Sequence, residues 1–142
     1  MRTWSSLIAS IIMMCCTSVA LAQSPEGVWT TIDDKTGKKR SEVRLSIKNN
    51  ELSGQVIRVY VQDGDTGMCK ACPGKFKNQP IKGLQFIWGL KEDKHGAWVD
   101  GEILDPKSGK IYSAKILQRG NKLYVRGYVG FALLGRTQVW AR

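Results

Sequence analysis

The amino-acid sequence predicts an all-β protein: eight short antiparallel strands closing on themselves as an up-and-down barrel. Three observations predict it. Apolar and polar residues alternate with a period of two in segment after segment, as expected of strands with one covered face. Turn residues (Gly, Asn, Asp, Pro) punctuate these segments at regular intervals. After the first 22 residues, no segment carries a convincing helical period. Consecutive hairpins favour a meander. Eight strands can close, which removes edges and leaves an interior just large enough for side chains or one small ligand.

Residues 1–22 are read as a secretory signal peptide. Arg2 supplies a positive start, residues 7–19 are apolar and uncharged, and Ala20-Leu21-Ala22 is a small-x-small cleavage site. The apolar stretch is shorter than the roughly 20 residues that a spanning helix needs. Cys15 and Cys16 suggest a lipidation site, but Met13 and Met14 stand where small residues are wanted, so both are assigned to the removed segment. The expectation is cleavage after Ala22, one barrel domain over residues 23–142, and a periplasmic or secreted product that does not span the membrane.

Residues 27–33 (GVWTTID) form the first predicted strand, followed by a turn at Asp34–Gly37. Residues 41–48 (SEVRLSIK) alternate cleanly, with Val43, Leu45 and Ile47 inward. Asn49 and Asn50 make a tight hairpin, because Asn tolerates the left-handed region. Residues 51–62 return as a long strand whose phase slips near Gly54–Val56, which predicts a bulge or a sharp corner. Residues 63–83 are the one long irregular segment. A connection longer than about 12–15 residues is functional or loose. Residues 84–91 (LQFIWGLK) are nearly continuous in apolar character and read as a well-covered strand. Residues 97–104 (AWVDGEIL) and 111–118 (IYSAKILQ) flank a β-turn at Asp105-Pro106, with Gly109 at its end. In residues 123–128, Leu123 and Val125 point one way, and Tyr124, Arg126 and Tyr128 the other. GFALLG (130–135) breaks the alternation as an apolar turn or short helix. Residues 136–140 (RTQVW) form the last strand, predicted to close onto Gly27-Val28-Trp29.

The net charge is +10. Such a surface can attract acidic envelope components, but lysines spread over many turns also serve solubility and edge protection. No basic helix or exposed aromatic ladder suits nucleic acid, which is not expected as a partner of an exported protein. Cys69-Lys70-Ala71-Cys72 lacks the strand–helix setting of a redox site and the further ligands of a zinc site. It reads as a disulfide pinning the long loop, contributing roughly 2 kcal/mol, with thiol–disulfide exchange as the lesser alternative. Asp63-Gly64-Asp65 lacks the rest of a calcium loop. His95 lies in a charged turn. No catalytic set, metal site or cofactor motif stands out, so a non-enzymatic role is expected. Four tryptophans, Trp29, Trp88, Trp98 and Trp140, fall on four strands, and Arg126 and Arg136 flank GFALLG. They either line a pocket or plug the barrel, Trp over Arg; on these residues alone the plug is preferred.

GVW, GLQFIWGL, DPKSGKIYSAK and VRGYVGFALLGRTQVW, in this order across the chain, resemble the DUF2147 family of bacterial exported proteins. The CKAC insert resembles one branch of that family. The resemblance implies a lipocalin-like (calycin) barrel and carries no established activity. In lipocalins a Gly-x-Trp on the first strand packs under a basic residue from the last strand. Gly27 and Trp29 match the first half; Arg136 or Arg142 supplies the second, with Trp140 beside them.

The functional expectation is a binder of a small hydrophobic or amphipathic ligand. Phe86, Trp88, Trp98 and Tyr128 would form the wall, Arg126 would orient a polar head, and the long loop would form a rim or lid. The alternative is a filled barrel acting as a structural or interaction module of the cell envelope.

Overall fold

A computed structural model describes residues 23–130 and 135–142. The expected signal peptide (1–22), with Cys15 and Cys16, and the segment 131–134 of GFALLG lie outside the described residues. The strands are β1 (Gly27–Ile32), β2 (Lys39–Lys48), β3 (Glu51–Val59), β4 (Gln85–Glu92), β5 (Trp98–Leu104), β6 (Ile111–Arg119), β7 (Lys122–Tyr128) and β8 (Arg136–Ala141). Each pairs antiparallel with the next, and β8 returns to β1, so the sheet is a closed barrel. A 3₁₀ turn, Gly74–Phe76, lies in the long connection between β3 and β4.

The hairpin at Asn49 and Asn50 has both residues left-handed, at φ 51° and 61°, the geometry that matches the twist of a two-residue hairpin. The slip foreseen near Gly54 is real: the β3–β4 register shifts on both sides of it. A Cβ at Gly54 would lie 3.0 Å from both Ile87 and Leu45, so the missing side chain lets two inward residues meet. The opposing bulge in β4 buries two consecutive side chains, Phe86 and Ile87. That is why β4 reads as continuously apolar.

The interior holds Trp29, Val43, Leu45, Leu52, Leu90, Ile116 and Leu123, all 0–1% exposed. Burying such side chains stabilises by roughly 1.5–3 kcal/mol each. Phe86 and Trp140 meet across the barrel, their ring centroids 6.1 Å apart.

Candidate functional site

The two ends of the barrel differ. At one end lie the β2–β3, β4–β5 and β6–β7 turns together with both ends of the described chain. Here residues 23–26 cross the opening. The Trp29 indole donates to the Pro25 carbonyl at 2.8 Å. The Ile47 amide donates to the Glu26 carboxylate at 2.9 Å, and the Gly120 amide to the Gln23 side chain at 3.0 Å. The Arg142 guanidinium stacks 4.3 Å over the Trp29 ring and donates to the Glu26 carbonyl at 2.9 Å. Gly27 lies directly beneath, where a Cβ would stand 3.4 Å from Arg142 Nη1. This end is plugged by Trp29 under an arginine, and Arg142 is the arginine that does it.

Arg136 lies at the opposite end. It forms a two-pronged ion pair with Asp34 of the β1–β2 turn, one arm being Nε to Oδ2 at 2.8 Å. The hydrogen bond from Arg136 holds the Asp34 carboxyl below the usual aspartate range. Arg136 is therefore corrected from a closing residue over Trp29 to a tie between β8 and the first turn. Trp140 is buried inside and donates to Gln138 at 3.2 Å.

Of the five candidate ligand-binding residues, only two face the interior, and they are not neighbours. Phe86 packs on Trp140. Trp98 lies near the plugged end, beside a shallow depression of about 510 Å³ bordered by Asn49, Asn50, Lys91 and Glu92. The other three are corrected to the outer face. Trp88 sits opposite exposed Glu102, to which its indole donates at 3.4 Å. Arg126 sits opposite exposed Lys115 and donates to Thr137 at 2.8 Å. Tyr128 sits opposite exposed Ser113. The alternation along β7 already placed Arg126 and Tyr128 opposite inward Leu123 and Val125. In β4 the bulge scrambled the parity that would have placed Trp88.

Trp88 has another partner. Phe76 of the long connection stacks on it, with centroids 5.5 Å apart and planes 16° apart. The connection is thereby fastened to the side wall. Cys69 and Cys72 form a disulfide, 5.4 Å between Cα atoms. It is buried, at 0% and 3% exposure. The Ala71 carbonyl abuts Gly109 of the β5–β6 turn, where a Cβ would collide with it. Leu104 shares the outward side with Glu102 yet is fully buried, a burial the overlying loop accounts for.

At this long-loop end the inner face is less sealed. Ile103 and Tyr112 pair across β5 and β6 and are half-buried. A Cβ on neighbouring Gly127 would meet both only at ordinary distances of 3.5–3.7 Å. These residues were missed by sequence reasoning; Tyr112 alternated inward with Ala114 and Ile116, which was the available signal. Among the described residues, no group of His, Cys, Asp or Glu is arranged to hold a metal ion. No helix among them is long and apolar enough to cross a membrane.

The profile of the DUF2147 family, described as uncharacterized proteins conserved in bacteria, matches residues 27–142. The chain belongs to the DUF2147 family. A solved structure similar to this DUF2147 barrel is protein HP1028 from Helicobacter pylori, described as a member of the lipocalin family. The two share 23% identity and a TM-score of 0.70, over 82% of this chain and 81% of the other. At that identity the likeness speaks to fold: the barrel is lipocalin-like. No curated protein matches the chain significantly.

Proposed function

We propose that this DUF2147 protein is an exported, non-enzymatic lipocalin-like barrel that binds a small apolar or amphipathic ligand. The observation that carries this reading is the asymmetry of the ends. One is plugged by Trp29 under Arg142, whereas the other presents half-buried, inward Ile103 and Tyr112. A cavity at that end, closed below by the plug and lined by such side chains, would suit such a ligand. Polar groups near that end include the Thr31 and Ser41 hydroxyls, 2.7 Å apart. Export is supported by the signal-like residues 1–22 and by a disulfide, which persists in oxidising compartments.

The test is a tryptophan-fluorescence titration with fatty acids of increasing length. Trp140, beside Phe86, is the reporter. A saturable change that weakens in Phe86→Ala and Tyr112→Ala is expected. No saturable response to any apolar ligand, with the melting temperature unmoved, would remove the proposal.

A second reading has its own observation. The interior side chains are almost wholly buried, and Ile87 and Leu45 already fill the space at Gly54. That favours a filled barrel serving as a structural or interaction module. Gly54→Ala then overpacks the core, and no apolar ligand protects either form against heat. Thiol exchange by Cys69 and Cys72 has the least support, because exchange needs an attacking thiolate to reach a sulfur and both sulfurs lie in buried residues.

A further inference from the structure

Lysines are unevenly divided between the ends. The four connections leaving the long-loop end hold eight exposed lysines, against Lys94 alone in the three turns at the plugged end; Lys75 and Lys77 flank Phe76 against the side wall, whereas Lys35, Lys38, Lys70, Lys107 and Lys110 stand at the rim. The same end also carries aspartates, but four of these five are turned to internal work. Asp34 pairs with Arg136. Asp33 accepts the Lys35 and Thr36 amides at 2.8 and 2.9 Å. Asp65 accepts the Gln62 amide at 2.9 Å and pairs with Arg40 at 3.5 Å. Asp105 accepts the Lys107 amide at 3.0 Å and the Ser108 hydroxyl at 2.8 Å.

Apolar side chains project from the same rim. Val61, just past β3, is 71% exposed, and Val129, just past β7, is 67% exposed. Met68 is 37% exposed in the long connection. Val61 and Met68 are set among the lysines. The Tyr60 amide bonds the Arg40 carbonyl at 2.9 Å, which brings Val61 to the strand that follows Lys35 and Lys38. The Ala71–Gly109 contact brings Met68 and Lys70 to the turn holding Lys107. Apolar tips ringed by exposed cations are the chemistry of a surface that lies on an anionic bilayer: the cations meet headgroups, and the apolar tips enter the boundary.

We infer that the long-loop rim docks on the surface of an anionic phospholipid membrane. The rim surrounds the less sealed mouth, so a docked barrel would face its opening to the lipid. The docking itself does not rest on an interior ligand, and the vesicle assay below contains none.

The experiment is co-sedimentation of the purified protein with phosphatidylcholine vesicles, with and without phosphatidylglycerol. Mass spectrometry first confirms that the protein starts after residue 22. Binding is expected only with phosphatidylglycerol and is expected to fall several-fold as salt rises. Lys35→Glu with Lys38→Glu should weaken it several-fold, and so should Val61→Asp with Val129→Asp. Lys94→Glu with Lys122→Glu, at the plugged end, should leave it unchanged. Melting curves confirm that each variant is folded. Equal binding to both vesicle types, no binding to either, or equal losses from the two ends would overturn the inference. So would binding to soluble dextran sulfate as strong as to vesicles, with the valine variants unaffected; that outcome would mean a polyanion surface.

Discussion

Two arginines near the C-terminus have the same chemistry and opposite stations. Arg142 lies over Trp29, and Arg136 holds Asp34. Arg142→Ala should cost about 1 kcal/mol, the scale of a cation–π contact, and should open Trp29 to acrylamide quenching. Arg136→Ala should leave that quenching unchanged. Its effect is expected on Asp34, whose carboxyl is held low by the Arg136 hydrogen bond. A lowered folded pKa stabilises the fold above the unfolded pKa, and that contribution is lost as pH falls through the folded value. In Arg136→Ala, the Asp34 titration followed by NMR should move up toward the ordinary aspartate range. An unmoved titration would show that the pair does not set it. Nothing in the sequence chose between these arginines, because they flank the last strand at its two ends and the choice depends on which end of the barrel holds Trp29.

The long connection between β3 and β4 was legible as an irregular segment bearing two cysteines, but not as a strap on the wall. Its seat depends on Phe76 finding Trp88 and on Gly109 admitting the Ala71 carbonyl. Gly109 has φ 74°, so a Cβ there is strained as well as blocked. Gly109→Ala should destabilise by more than about 1 kcal/mol and loosen this strap first. The measurement is limited proteolysis, with cuts expected in residues 63–83 before any in the barrel. Joint replacement of Cys69 and Cys72 by Ser should lower stability by about 2 kcal/mol in chemical denaturation. If the loop stays resistant to protease in both variants, its anchorage lies elsewhere. The same strap explains why Trp88 escaped a correct assignment: an outward tryptophan covered by a distant loop has an apolar signature like that of an inward one.

The barrel as a whole closes at its least extensive seam. β1 and β8 share a single paired position, Thr30 with Ala141, whereas β6 and β7 pair over seven residues. Residues 23–26 and Arg142 reinforce that seam from outside the ladder. Native-state hydrogen exchange should therefore find the β1 and β8 amides facing each other less protected than those between β6 and β7. Equal protection at both seams would mean that the lacing of the N-terminal segment compensates fully for the missing ladder.

Strand number, strand order and most boundaries were legible along the chain, because the period of two and the turn chemistry are local properties: β7 and the Asn49-Asn50 hairpin read directly. Gly27 and Trp29 at one terminus and Arg142 at the other were legible as partners only through resemblance to a barrel that closes. Folding in three dimensions settled which arginine seals the plug, which aromatic rings lie inside, and where the exposed lysines gather. Those matters turn on contacts between residues far apart in the chain and on bulges such as the one at Phe86 and Ile87. A bulge resets the inward and outward parity of everything after it, and no local pattern records the reset.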